Sequence, residues 1–285
     1  MRGLLLLVLG ATGCNQVLGL STTYGIDGRP DAVGCSGAQF QGPVELPDLS
    51  PGLDQFDPSE RADGLELWFT IQEALDIKVY VVTRASVDVD YREADVAPAP
   101  FNAPAGVRDN DPSIGADGLR VMFLSTRGNL GSRAWEVARP SLDAPFSAPS
   151  QVRGLEASTI DGLDMSLDGK TVYFVSEQDG GRLYRAHRNE LTDPFVIEAT
   201  DPDGKPFATG LSFPSISPDE KELFFEAATG GGVQRKIRGD VTRAFGDLSE
   251  SIHGSQAGDP ELTQDGKTLY VALSSTFWKF TRDCP

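Results

Sequence analysis

A turn pair that returns at a nearly fixed interval constrains this chain more than any other feature. The pairs are Asp63-Gly64, Asp117-Gly118, Asp168-Gly169, Asp219-Glu220 and Asp265-Gly266, separated by 54, 51, 51 and 46 residues. Self-similarity at such a period is the mark of a repeat architecture. Asp-Gly suits a tight hairpin because Gly adopts positive φ without a steric penalty.

The flanks repeat in register with the turns. Four residues past each Asp stand Leu67, Val121, Val172, Leu223 and Leu269. The next column is Trp68, Met122, Tyr173, Phe224 and Tyr270, and the one after is Phe69, Phe123, Phe174, Phe225 and Val271. Three consecutive apolar positions do not alternate, so they predict a short strand covered on both faces, as when sheets stack. In the following strand Tyr80, Trp135, Tyr184 and Trp278 each precede an Arg by four residues (Arg84, Arg139, Arg188, Arg282), and Gln234 takes that place before Arg238. Phe146, Phe195 and Phe245 fall seven residues after Arg139, Arg188 and Arg238 and are expected to open a fourth strand. In the first repeat Phe101 is assigned that role, across a longer loop. Four antiparallel strands per unit, repeated five times without helical periodicity, predict an all-β fold, a five-bladed β-propeller.

The two ends of the repeat array complement each other. Residues 38–46, AQFQGPVEL, resemble a fourth strand with Phe40 in the Phe column, but no first three strands precede them. The last unit stops three residues beyond Arg282 and lacks a fourth strand. The N-terminal strand is therefore expected to complete the last blade, which removes a free sheet edge. Cys35 lies five residues before Phe40 and Cys284 two after Arg282, so both thiols map to one place in the interval of seven. A Cys35–Cys284 disulfide closing the ring is expected.

The segments FPSISPDEKELFF, from Phe213, and LDMSLDGKTVYF, from Leu163, resemble the WD40-like β-propeller repeats of TolB and related periplasmic proteins. The resemblance covers nearly all of the chain beyond its leader. It implies envelope proteins or peptides as partners at the channel face, but it fixes no activity, because propellers host many functions.

The N-terminus has a positive start at Arg2, an apolar stretch at residues 4–9 too short to span a bilayer, and small residues leading to Cys14. This resembles a bacterial lipoprotein signal, with residues 1–13 removed and Cys14 lipidated. Asn15, where Asp would mark inner-membrane retention in enteric bacteria, favours the outer membrane, facing the periplasm or the exterior. Residues 14–34 have no period and are expected to be a flexible tether, leaving 35–285 as the propeller. A net charge of −17, spread through loops, argues against nucleic acid as a partner and against membrane contact beyond the lipid anchor. A monomer is expected.

No GxSxG elbow, CxxC, P-loop or dinucleotide glycine pattern occurs, and His187 and His253 are not at metal-ligand spacing. Asp201-Pro-Asp203-Gly204 lacks the remainder of a Ca²⁺ loop and is taken as a turn. The one constellation to weigh is acidic. Asp57, Asp111 and Asp259 stand six residues before the turn Asp, each followed by Pro, while blade three offers Gly162 beside Asp164 and blade four has Phe213. Asp57, Asp111, Asp164 and Asp259 are expected at the rim of the central channel. Turn chemistry assigns them to backbone N–H groups of their own blades. A Ca²⁺ site, recognition of a basic or amine-bearing partner, and glycan hydrolysis by paired carboxylates are the functional alternatives. A non-catalytic binding or scaffold role without a cofactor is preferred.

Overall fold

The computed structural model describes residues 35–284, apart from 75, 93, 105, 129, 130, 230 and 255. The expected leader at 1–13, the lipidation at Cys14 and the tether at 14–34 lie outside the described residues. Twenty strands form five four-stranded antiparallel sheets. The first strand, β1 (Gln41–Glu45), belongs to the last blade. Blade one is β2 (Asp54–Glu60), β3 (Glu66–Glu73), β4 (Asp76–Thr83) and β5 (Asp95–Val96). Blade two is β6 (Asp109–Ile114), β7 (Arg120–Ser125), β8 (Arg133–Ala138) and β9 (Ser150–Gln151). Blade three is β10 (Gly162–Met165), β11 (Thr171–Ser176), β12 (Arg182–His187) and β13 (Val196–Glu198). Blade four is β14 (Leu211–Ile216), β15 (Glu222–Ala227), β16 (Val233–Ile237) and β17 (Glu250–Ser251). Blade five is β18 (Ala257–Leu262), β19 (Thr268–Leu273) and β20 (Thr276–Thr281). β1 pairs antiparallel with β20, so the sheet order is β1-β20-β19-β18.

The consecutive apolar columns are explained by stacking. Leu67 and Phe69 enter the cluster shared by blades five and one, while Trp68 points the other way into the cluster of blades one and two. Val172 and Phe174 likewise face blade two, and Tyr173 faces blade four. Each second strand therefore feeds two interfaces. At about 25 cal/mol per Å² of apolar area removed from water, this burial dominates the stability of the ring.

All five turns share one construction. The residue after each turn Asp has positive φ, from 57° at Glu220 to 71° at Gly266, and its amide donates to the carbonyl three residues earlier. The turn Asp accepts from the amide two residues on, at 2.8–3.1 Å, in every blade. Glu220 occupies the slot that four blades give to Gly. Its carboxylate accepts from Tyr173 Oη at 2.7 Å, a buried tie that anchors a side chain Gly would lack.

The Arg column reads the same turns. Nε of Arg84, Arg139, Arg188, Arg238 and Arg282 donates to the carbonyl of Gly64, Gly118, Gly169, Glu220 and Gly266 at 2.5–3.0 Å. Each guanidinium carbon also lies 4.3–4.6 Å from a ring centroid: Tyr91, Phe146, Phe195, Phe245 and, across the closure, Phe40. Tyr91 is seven residues after Arg84, so it is the ring partner in blade one in place of Phe101. Phe101 instead packs on Trp68, Phe123 and Phe146, and the fourth strand of blade one, β5, precedes it. A disulfide joins Cys35 and Cys284, whose Cα atoms are 4.7 Å apart.

Candidate functional site

The inner strands β2, β6, β10, β14 and β18 line the axis, and aligning them on their turns yields two side-chain rings. The first ring is Asp57, Asp111, Gly162, Phe213 and Asp259; the second, two residues on, is Ser59, Ser113, Asp164, Ser215 and Glu261. Asp164 therefore does not share a ring with the other three aspartates, as the sequence reading had grouped them. Nor do those three stand at a rim. Asp57, Asp111 and Asp259 sit within strands, 7–9% exposed, with φ of 47–53°. The strand pairing skips there in blades one, two, four and five, which makes each of these positions, Phe213 included, a bulge. Blade three pairs without interruption. Its Gly162 is required by close approach, because a Cβ would lie 3.0 Å from both Cα and N of Phe213.

The rings are ties between blades. Asp57 Oδ2 accepts from the amide of Asp111 at 3.1 Å, and Asp111 Oδ2 from that of Leu163 at 2.7 Å. In the second ring Ser59 Oγ accepts from Ile114 N, Ser113 Oγ from Met165 N, Asp164 Oδ2 from Ile216 N and Ser215 Oγ from Leu262 N, at 2.7–3.1 Å. Glu261 completes the circle by accepting from Ser59 Oγ at 3.3 Å and Ser215 Oγ at 3.2 Å. These amides belong to the next blade, not to the residue's own, which corrects the expected pairing. Asp57, Asp111 and Asp164 do satisfy backbone donors, but they do so around the ring.

Their charge is poorly compensated. Burial pushes Asp57 up to about 6 and Asp164 up to about 7. Burial, followed by the neighbouring carboxylates, holds Asp111, Asp259 and Glu261 well above the usual range. No Lys or Arg is among the leading causes of these five shifts. Among the described residues, no group of three or more His, Cys, Asp or Glu is arranged to hold a metal ion.

Two spaces open along the axis. At the waist, Asp57, Asp111, Phe213 and Asp259 with Pro58, Pro112, Pro214 and Pro260 enclose about 20 Å³. On the side of the Asp-Gly turns lies a mouth cavity of about 50 Å³. It is bounded by Asp164, Glu261 and Gln264 together with Ile114, Met165, Ile216 and Leu262. Sequence reasoning missed Glu261 and Gln264. The column of Ser, Ser, Asp, Ser and Glu two residues past each first-ring position was the available signal. Asp201 Oδ1 accepts from the amides of Asp203 and Lys205 at 2.9 Å, a plain turn as expected. His187 lies beside Glu198 and His253 packs on Phe280, both away from the axis.

No protein-family model and no curated protein matches the chain. Solved structures similar to it include a thermostable family-43 glycoside hydrolase, at 10% identity over 85% of this chain and 92% of that one, TM-score 0.54. A glycosyl hydrolase from Bacteroides ovatus matches at 12% identity over 86% of this chain and 94% of that one, TM-score 0.52. TolB from Acinetobacter baumannii matches at 14% identity over 80% of this chain, TM-score 0.40, and the chain spans 43% of that protein's length. At these identities the likeness is one of fold.

Proposed function

We propose that this propeller is a non-catalytic binding module of the bacterial cell envelope, anchored to the outer membrane through Cys14, and that its ligand docks at the turn-side mouth of the channel. The carrying observation is the mouth cavity, a concave space where polar side chains, Asp164, Glu261 and Gln264 among them, converge beside apolar ones in roughly equal number; convergent polar groups in a cleft mark the default recognition site. Its volume of about 50 Å³ is far below the roughly 300–1,000 Å³ of sites that enclose whole small molecules. That favours the tip of a protein or peptide segment over a free metabolite, in keeping with the resemblance of the repeats to TolB.

The glycoside hydrolases of similar fold raise sugar cleavage as a rival. That chemistry needs an acid and a base roughly 5–10 Å apart with the substrate between them. Here Asp57 and Asp111 are linked through a backbone amide, and the waist they line, at about 20 Å³, leaves no room for a sugar ring.

Photo-crosslinking tests the binding role. A crosslinking residue at Leu167 or Pro218, on the mouth loops, is expected to capture one envelope protein or peptide. The same residue at the exposed Leu142 or Leu248 is expected not to. Equal capture from all four positions would sink the mouth as the docking face. Hydrolysis of a glycan panel, abolished by Asp111→Asn, would sink the non-catalytic role.

A further inference from the structure

We infer that the channel mouth receives a primary ammonium group, the end of a lysine side chain on the docking partner, held by Asp164, Glu261 and Gln264. The inference rests on the mouth being the docking face and names what docks there.

The hydroxyls lining the cavity are already spent on carboxylates: Ser166 Oγ donates to Asp168 at 2.7 Å, Ser217 Oγ to Asp219 at 2.6 Å and Tyr173 Oη to Glu220 at 2.7 Å. Gln264 Nε2 donates to the carbonyl of Ile114 at 3.0 Å, which fixes the orientation of its amide. What remains are mostly lone pairs, beside the second N–H of Gln264 Nε2. Asp164 accepts from Ser113 Oγ at 3.3 Å, from Ile216 N at 2.7 Å and from the amide of Met165, which leaves about one of its four acceptor sites open. Glu261 accepts from two serines, one on each oxygen. Each carboxylate oxygen can accept a second bond.

Gln264 supplies the independent sign. Its side chain is 8% exposed and lines this cavity, yet Oε1 has no hydrogen-bond partner among the described residues. A buried acceptor left unpaired costs about 1–3 kcal/mol. A ligand bringing a donor would recover that cost.

A site whose free acceptors outnumber its free donors favours a group that only donates. An ammonium has three donors and no acceptor, matching Asp164, Glu261 and Gln264 Oε1 in number. A guanidinium presents a planar fork suited to one bidentate carboxylate rather than to three separate acceptors. The walls of Ile114, Met165, Ile216 and Leu262 suit the methylene stem of lysine, which packs on apolar surface while its head stays in a polar site. The net charge of −17 draws cations toward the molecule.

The test is an NMR titration of the chain at pH 8, above the titration of Asp164 near 7, with four probes: Nα-acetyl-lysine methylamide, the norleucine and arginine equivalents, and Ca²⁺. The lysine probe is expected to bind, with norleucine about tenfold weaker or worse, as befits lost bonds to charged groups. Asp164→Asn and Gln264→Leu are each expected to weaken the lysine probe several-fold while the thermal midpoint and near-UV dichroism show a folded ring. Equal binding of lysine and norleucine would leave only an apolar hole and overturn the inference. Tighter binding of arginine, the same spectral changes with Ca²⁺, or no binding by the lysine probe at millimolar concentration would overturn it as well. Mouth crosslinks that persist while the lysine probe fails would remove the ammonium and keep the docking face. A bound lysine probe with crosslinks only from the outer surface would do the reverse.

Discussion

The waist and the mouth of the channel are built from the same five strands, a few residues apart, and they treat a carboxylate in different ways. At the waist, Asp57 and Asp111 are spent on amides of the adjoining blades and enclosed by prolines. At the mouth, Asp164 ties an amide and Glu261 two serine hydroxyls of other blades, and both also border a cavity with an unpaired amide oxygen. An acidic ring in a propeller is thus not one feature. Position along the strand, by two residues, separates a carboxylate that serves as mortar from one that can also meet a ligand.

The largest test of this contrast is pH. A free aspartate titrates near 3.8, while Asp57 is pushed up to about 6 and Asp164 to about 7. The folded chain therefore holds these protons more tightly than the unfolded one. That stabilisation is complete below about pH 4 and is lost as the pH rises through 6 to 7. Groups held low by hydrogen bonds, such as Asp240 by the Thr242 amide and Glu250 by Arg235, act oppositely and lose their contribution in acid. Calorimetry is expected to show a thermal midpoint highest near pH 5, with roughly 4 kcal/mol less stability at pH 8. Asp57→Asn should remove the lower part of the decline and Asp164→Asn the upper part. A profile that is flat, or that rises to pH 8, would mean the channel charges are compensated.

Next in size is steric. Gly162→Ala at the waist would press a methyl onto the Phe213 backbone at 3.0 Å and is expected to cost about 2–3 kcal/mol, as overpacking does. Gly115→Ala, on the turn side, would meet its nearest neighbours at 3.6 Å and is expected to change stability by less than about 0.5 kcal/mol. Urea melts of the two variants read the difference. Similar values would show that the waist yields as easily as the mouth.

The fold was legible because its determinants are local and repeated. The turn pair, the apolar triple and the Arg column each perform one job in every blade, so five copies could be checked against one another. The ring closure was legible for the same reason, since Phe40 and Cys35 fit a spacing seen elsewhere. Tyr91 was missed because the column was followed as Phe rather than as an aromatic ring seven residues after Arg84. The site was harder to read. Which blade an axial carboxylate ties depends on strand bulges, and these leave no mark in hydropathy. Asp164 was placed with the wrong ring because blade three alone lacks the bulge. Gln264 was invisible because its isolation is a property of the packed mouth, not of its neighbours in sequence.

A paired substitution separates the charge of a waist carboxylate from its bond. Asp111→Leu would strand the buried amide of Leu163 and is expected to cost about 2 kcal/mol, within the range for an unmet donor. Asp111→Asn keeps an acceptor and removes a charge that burial and Asp57 oppose, so it is expected to match or exceed the wild type at pH 8. Thermal melts at that pH decide the matter. If both variants lose equally, the carboxylate does more at the waist than bridge two blades.

The smallest expected effect lies at the mouth. Gln264→Met removes one bond to the Ile114 carbonyl and, with it, a buried oxygen that has no partner. The first change costs about 1 kcal/mol and the second recovers a similar amount, so the net is expected within about 0.5 kcal/mol of zero. A buried glutamine kept where an apolar side chain would serve the fold as well is a residue whose use lies elsewhere, in what the mouth binds. Urea melts of this variant check the balance. A loss as large as that of Asp111→Leu would make Gln264 a structural tie like those at the waist, and the distinction between the two ends of the channel would fail.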